Sequence, residues 1–148
     1  MTEEEVTKAI LKWLIENNWQ IVCFDFPQSG TGRLLHPNNS SSKNKDAINP
    51  DIIAVKNNKS IFFENKDRFY FPDYEKIYTL KTSNEYSNAI EELLKEYDIE
   101  NIFYGIGIPQ NAHQKKSQSN TNMVDFIIGV KSNKEIKVLH QNNIEIFK

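Results

Sequence analysis

The sequence predicts an α/β domain of the α+β type, in which a helix and three strands are followed by two helices and further strands. Apolar residues recur at helical spacing in three separate segments, and short runs rich in Ile, Val and Phe lie between them. A chain of 148 residues can bury roughly 70% of its unfolded surface around one core, so residues 1–148 are expected to form a single domain.

The N-terminal segment, residues 3–17, is predicted to be an amphipathic helix. Its apolar residues recur at helical spacing over 6–14, and three glutamates occupy the first turn, where the helix dipole favours acidic side chains. Thr2 precedes this turn and is a candidate N-cap. Residues 19–26 are rich in strand formers and end at Pro27, which predicts the first strand.

A polar connection over residues 28–49 follows, rich in Gly, Ser and Asn, and is predicted to be a long loop rather than a regular element. Beyond it, residues 51–56 and 60–66 have the composition of two strands. Asn57 and Asn58 join them and tolerate the left-handed backbone of a tight turn. The sequence therefore predicts an antiparallel hairpin.

The rest of the chain is predicted to contain two helices, three strands and a second polar loop. The helical patterns cover residues 73–81 and 85–97. The strand patterns cover residues 102–108, 124–130 and 135–139, and the loop covers residues 110–122. The apolar positions of the second helix lie on one side, so the helices are expected to cover a face of the sheet.

Composition and charge exclude several classes of protein. The formal net charge of −2 argues against a protein that coats nucleic acid through bulk charge. A single cysteine, Cys23, excludes an internal disulfide and a thiolate zinc site within one chain, and it is expected in the core. No apolar run reaches the ~20 residues of a membrane span, and the acidic N-terminus is unlike a signal peptide. A cytoplasmic protein without a membrane partner is expected.

The predicted hairpin carries a group of charged residues. Asp51 opens its first strand directly after Pro50, and Glu64 and Lys66 lie at the end of its second strand. Residues two apart in a strand project from the same face, and hairpin pairing can bring Asp51 close to them. Two carboxylates suit Mg²⁺, and an amine beside them suits phosphodiester hydrolysis. The main-chain carbonyl of Asn65 is a further candidate ligand.

The Asn-Pro-Asp segment at 49–51 and the Glu-Asn-Lys segment at 64–66, with the twelve residues between them, resemble the signature of the PD-(D/E)XK nuclease superfamily. Many restriction endonucleases and Holliday-junction resolvases belong to this family. Residues 3–108 also resemble the order of elements in the family's core. The resemblance implies a restriction-endonuclease-like fold, with a central mixed β-sheet flanked by helices in the order αβββααβ, here followed by extra C-terminal strands.

By this resemblance, Asp51 and Glu64 are metal ligands and Lys66 is the catalytic lysine. The implied cofactor is Mg²⁺, with Mn²⁺ able to substitute. Many family members add a glutamate from the first helix to the metal site, and Glu5 is favoured for that position. The candidates in this sequence are Glu3, Glu4 and Glu5.

The two long loops contain candidates for DNA contact. These are Arg33, His36, Lys43, Lys45, Lys115 and Lys116. Because arginine is the usual reader of guanine and only Arg33 and Arg68 are present, Arg33 is expected to matter most for base recognition. Asp67, Arg68 and Asp73 flank the hairpin and either shape the site or belong to the following turn. The plainer alternative for the loops is a solvated surface.

These features predict a Mg²⁺-dependent DNA endonuclease, and among such enzymes a sequence-specific type II restriction endonuclease. Cutting both strands of double-stranded DNA with one site per chain calls for a homodimer. A structure-selective resolvase or repair nuclease, an RNase of a defence system, and an inactive DNA-binding or assembly module are the alternatives. The simplest alternative is that Glu64 and Lys66 are an ordinary surface pair on one strand face.

Overall fold

The computed structural model describes residues 1–25, 34–38, 47–112 and 119–148. Within these residues the helices are α1 (Glu3–Glu16), α2 (Phe71–Thr82) and α3 (Ser87–Leu94). The strands are β1 (Gln20–Phe24), β2 (Ile52–Lys56), β3 (Lys59–Asn65), β4 (Asn101–Pro109), β5 (Phe126–Val130) and β6 (Ile136–Gln141). Short 3₁₀ turns at Gln110–Ala112 and Thr121–Met123 lie between β4 and β5.

The strands described form a six-stranded sheet in the order β1-β2-β3-β4-β5-β6. The pairs β1–β2, β2–β3 and β5–β6 are antiparallel, whereas β3–β4 and β4–β5 are parallel. A parallel pair requires a crossover, and α2 and α3 provide it between β3 and β4. The predicted α+β class, with a mixed sheet flanked by helices, is confirmed.

The sheet buries both of its faces. On one face, Ile10 and Leu14 of α1 pack against Phe63 and Phe126, whose ring centroids are 4.8 Å apart. On the other face, α2 and α3 pack against alternate residues of the same strands. The buried residues of this second core include Cys23, Ile53, Phe62, Tyr74, Ile77, Ile90, Tyr104 and Ile106. The expected core position of the lone cysteine is confirmed.

Local sequence features set the ends of α1 and of the hairpin. Thr2 Oγ accepts a hydrogen bond from the Glu5 N–H at 3.1 Å, and the Glu5 carboxylate accepts one from the Thr2 N–H at 3.3 Å. This capping box satisfies donors that the first helical turn leaves open, and it confirms Thr2 as the N-cap. Asn57 takes the left-handed conformation expected of the hairpin turn, with φ of 56°.

The structure differs from the sequence predictions at the ends of two helices. Helix α2 begins at Phe71 rather than at residue 73, because Pro72 is tolerated in a first turn that needs no backbone N–H. Helix α3 covers Ser87–Leu94 rather than residues 85–97. Among the helices described, none has the length and apolar character that a membrane span requires.

Candidate active site

Asp51 and Glu64 lie close together at the open end of the β2–β3 hairpin. The paired ladder ends at Ile52 and Phe63, and Asp51 and Glu64 are the next residues beyond it on the two sides of the hairpin. The Asp51 N–H donates to the Phe63 carbonyl at 2.9 Å, which holds the Asp51 backbone beside β3. Because side chains alternate along β3, Glu64 projects from the face that α2 covers, opposite to α1. The charges of Glu64 and of Lys76 on α2 both act on Asp51.

Burial and mutual repulsion perturb both carboxyl groups. Asp51 is 8% exposed and Glu64 is 7% exposed. The pKa of Asp51 is raised to about 8, first by burial and then by the Glu64 charge, although the Asn65 N–H donates to Asp51 Oδ2 at 2.7 Å and lowers it. Burial also raises the pKa of Glu64 to about 7, against the lowering effect of Lys76. A buried pair of this kind favours a nearby cation.

The ammonium group that pairs with Glu64 belongs to Lys76 on α2. Lys76 Nζ lies 2.9 Å from Glu64 Oε2 and 3.5 Å from the Asn49 carbonyl oxygen. Sequence analysis did not identify this lysine. The sequence does contain a feature that points to it. Asp73 and Lys76 are three residues apart, so they lie on the same side of α2 as the buried Ile77.

Lys66 lies near Asp73 and the Tyr70 ring. Its N–H continues the ladder by donating to the Gly107 carbonyl at 2.9 Å, so its side chain shares the face of Glu64. Lys66 Nζ lies 4.8 Å from the centroid of the Tyr70 ring, in a cation–π contact. Its charge also lowers the pKa of Asp73. The structure therefore places the predicted catalytic lysine near Asp73, with its ammonium group over an aromatic ring.

Asp73 adds a third carboxylate beside the pair. It is 7% exposed, and its buried Oδ2 has no hydrogen-bond partner within the residues that the structure describes. Burial raises the pKa of Asp73 to about 6, while the charges of Lys66 and Lys76 lower it. The Asp73 charge in turn raises the pKa of Glu64. Asp73, predicted only to flank the site, is electrostatically part of it.

The glutamates of α1 point to different surroundings. Glu5, the residue favoured from the sequence, is used in the capping box and pairs with Lys134 Nζ at 3.2 Å, which lowers the pKa of Glu5. The structure thus directs Glu5 away from the carboxylate pair. The charge of Glu3 instead raises the pKa of both Asp51 and Glu64. Of the glutamates in the first turn, Glu3 is the better candidate for the site.

Asn65 connects the site to α1. Its Nδ2 donates to Thr7 Oγ at 3.1 Å on the opposite face of the sheet. The neighbouring Gly107 makes room for this contact, since a Cβ there would collide with Asn65 Oδ1 and the Ile10 side chain. The Asn65 N–H points toward Asp51, and in a strand the carbonyl of a residue lies on the same edge as its N–H. The carbonyl therefore remains a candidate ligand.

Most of the candidates for DNA contact lie in parts of the chain that the structure does not describe. Arg33, Lys43, Lys45, Lys115 and Lys116 lie outside the described residues. His36 is exposed and follows Leu35, which forms an isolated antiparallel bridge with Ile48. Arg68 pairs with the adjacent Asp67 at 3.0 Å on the surface.

The donors at the hairpin suit a hard divalent cation. Within the described ranges, no group of three or more His, Cys, Asp or Glu side chains is placed to hold a metal ion. Asp51, Glu64 and the Asn65 carbonyl offer two carboxylates and one backbone oxygen. Mg²⁺ commonly takes one or two carboxylates and keeps several waters, whereas zinc requires more protein ligands. The oxygen donors therefore fit Mg²⁺ better than zinc.

In comparisons with known proteins, no family model, curated protein or solved structure matches this chain. By its fold and its site, the chain is an α+β protein with two neighbouring buried carboxylates at the open end of a hairpin. Lys76, on the helix that follows the hairpin, pairs with Glu64, and Lys66 lies over the Tyr70 ring at the end of the hairpin.

Proposed function

We propose that this chain is a Mg²⁺-dependent endonuclease that hydrolyses phosphodiester bonds in double-stranded DNA. The observation that carries the proposal is the proximity of Asp51 and Glu64 at the open end of the hairpin, where both are buried and both have a raised pKa. Folding alone does not require two buried like charges, and such pairs cluster at functional sites. The spacing of Asp51, Glu64 and Lys66, which resembles the PD-(D/E)XK signature, supports the same reaction class.

Each residue of the site has a separate role in this proposal. Asp51, Glu64 and the Asn65 carbonyl hold Mg²⁺, and Mn²⁺ is able to replace it. The bound cation supplies a water of lowered pKa and neutralises charge on the phosphate. Lys66 orients the attacking water and stabilises negative charge on the reacting phosphate. Glu3 replaces Glu5 as the candidate acidic residue from α1.

Within this reaction class we favour a sequence-specific type II restriction endonuclease of restriction-endonuclease-like fold. One hairpin site per chain cuts one strand, so a two-fold homodimer is the simplest way to cut both strands of a palindromic site. The long connection between β1 and β2 is of a length that commonly carries function. A cytoplasmic location remains a prediction from the sequence.

One observation favours a second function, that of a non-enzymatic DNA-binding or assembly module. Lys76 already neutralises Glu64 at 2.9 Å, so part of the site's negative charge is compensated without a metal ion. A chain that had lost catalysis would be expected to retain such an internal ion pair. The activity of the purified protein distinguishes the two functions.

The test is cleavage of plasmid DNA by the purified protein with Mg²⁺ and then with EDTA. We expect discrete fragments with Mg²⁺, no cleavage with EDTA, and loss of cleavage in Asp51→Asn and Lys66→Ala. Asp125→Asn is the matched control for the buried acid, because Asp125 is 6% exposed and pairs with Lys81 rather than with the site. Undiminished cleavage by both site variants would refute the assignment.

The form of the product separates the alternatives. Ragged degradation indicates a nonspecific nuclease, and cleavage limited to branched DNA indicates a resolvase or repair nuclease. Cleavage of RNA alone indicates a defence RNase. An absence of cleavage with any divalent metal favours the non-enzymatic module.

A further inference from the structure

Lys76 places a positive charge beside both carboxylates of the proposed metal site. Its Nζ lies 2.9 Å from Glu64 Oε2, and its side chain is 28% exposed. The same charge acts on Asp51 and Asp73, since it lowers the pKa of each. Lys76 belongs to α2, so the hairpin that carries the proposed ligands does not itself supply this charge.

A lysine in this position and a divalent cation compete for the same carboxylate. Glu64 Oε2 is in an ion pair with the ammonium group, so a metal ion bound by the Glu64 carboxylate competes with Lys76 for its negative charge. Two cations within a few ångströms of each other also repel strongly where water is scarce. In the cation-free protein, by contrast, the ammonium group offsets the repulsion between the buried carboxylates.

We propose that Lys76 is a positioning residue that acts as an internal counter-ion, holding the Glu64 carboxylate in the cation-free protein and competing with the divalent cation for it. This inference rests on the proposed metal site at Asp51 and Glu64. Its consequence is that removal of the Lys76 charge strengthens metal binding and weakens the cation-free fold. A lysine with a purely structural role has only the second effect.

The chain offers a matched control in Lys81, which lies on the same helix. Lys81 Nζ pairs with Asp125 Oδ1 at 2.8 Å. In both pairs the lysine side chain is 28% exposed and the acid side chain is 9% exposed. Lys76→Gln and Lys81→Gln therefore remove equivalent ion pairs, only one of which faces the proposed site.

The experiment measures Mn²⁺ affinity of the full chain by titration calorimetry and thermal unfolding in EDTA. We expect Lys76→Gln to bind Mn²⁺ at least about tenfold more tightly than the parent, because a nearby unit charge is removed. Lys81→Gln should match the parent's Mn²⁺ affinity, and both variants should unfold at lower temperature in EDTA. Lys76→Arg, which retains the charge, should stay within about threefold of the parent's affinity.

The outcomes separate this inference from the proposed function. If Asp51→Asn abolishes Mn²⁺ binding but Lys76→Gln leaves it unchanged or weaker, the metal site stands and the counter-ion role is overturned. If Lys76→Arg binds Mn²⁺ as tightly as Lys76→Gln does, that role is also overturned, because the lost charge is then not the cause of the higher affinity. If Asp51→Asn binds Mn²⁺ like the parent, the proposed site itself fails.

A variant that does not fold also gives a result. Lys76→Met keeps the apolar stem of the side chain and repeats the test without charge. If neither neutral variant folds in EDTA but both fold with Mn²⁺, the cation replaces the ammonium group as proposed. If neither folds under either condition, Lys76 is structural and the proposal is overturned.

Discussion

At the scale of single residues, the chain holds three carboxyl groups where their charge is unfavourable. Burial raises the pKa of Asp51 to about 8, of Glu64 to about 7 and of Asp73 to about 6. The folded protein therefore binds protons at these positions more tightly than the unfolded chain does. Residues that lower stability in this way are typical of sites retained for function.

The pH dependence of stability tests this picture. A carboxyl whose pKa is raised on folding lowers the free energy of unfolding as the pH rises from its unfolded value toward its folded value. For Asp51 this window runs from about pH 4 to about pH 8. Asp51→Asn keeps an acceptor for the Asn65 N–H, so in EDTA at pH 8 we expect it to be more stable than the parent by on the order of 1 kcal/mol or more.

Urea unfolding at pH 5 and pH 8 measures this effect. The difference in free energy of unfolding between Asp51→Asn and the parent should be smaller at pH 5, because the Asp51 carboxyl of the folded parent is then more fully protonated. Asp125→Asn is again the control, since it removes a buried acid that pairs with Lys81 and should be destabilising at pH 8. A parent protein that gains stability between pH 5 and pH 8 relative to Asp51→Asn contradicts the prediction.

We expect the loss of Lys66 and the loss of Lys76 to have different effects. Lys66 lies over the Tyr70 ring rather than against Glu64, so its removal leaves the metal ligands in place. We expect Lys66→Ala to slow DNA cleavage by at least about 10²-fold while Mn²⁺ affinity stays near that of the parent. Single-turnover cleavage and Mn²⁺ titration give the two values. A rate within a few-fold of the parent would remove Lys66 from the reaction.

At the scale of elements, the site depends on how closely α1 approaches the β3–β4 pair. Gly107 permits that approach, because a Cβ there would collide with Asn65 and Ile10. The Asn65 N–H donates to the Asp51 carboxylate, so a displacement of Asn65 also displaces one of the proposed metal ligands. The position of α1 and the geometry of the carboxylates are therefore coupled.

We expect Gly107→Ala to lower the free energy of unfolding by about 1–3 kcal/mol through overpacking and also to weaken Mn²⁺ binding. Gly105→Ala, on the same strand as Gly107, is the matched control, since its Cβ would collide with the Phe126 ring of β5 rather than with Asn65. Urea unfolding should show both variants destabilised, and calorimetry should show weaker metal binding only in Gly107→Ala. Equal Mn²⁺ affinity in the two variants would contradict the coupling.

At the scale of the whole molecule, the proposed site of each chain is the acidic pair Asp51 and Glu64, at the open end of the hairpin formed by β2 and β3. A duplex has two strands of opposite direction, so two copies related by a two-fold axis match it. If the proposed enzyme acts in this way, each copy of 17.3 kDa contributes one strand break.

Mixing active and inactive chains tests the dimer. In an equal mixture of parent and Asp51→Asn chains, mixed dimers should nick the plasmid, so the open-circular product should increase at the expense of the linear one. Sedimentation with a short cognate duplex should give a complex with the mass of two chains plus one duplex. An unchanged ratio of linear to nicked product would indicate chains that cut independently.

The sequence by itself determined the α+β class, the capping of α1 and the hairpin that brings Asp51 close to Glu64. These features depend on local rules: side-chain alternation, a two-residue Asn turn and an N-cap act over a few residues and need no knowledge of packing. Much of the candidate site could be predicted for this reason, because both proposed carboxylate ligands lie on one hairpin.

Only the tertiary structure decided which groups from the helices join that pair. Lys76 and Asp73 reach the site because α2 packs on the face that carries Glu64. The capping box occupies Glu5, whereas the charge of Glu3 acts on both carboxylates. The rotation and placement of a helix on a sheet depend on the fit of many side chains, which spacing along the chain does not determine.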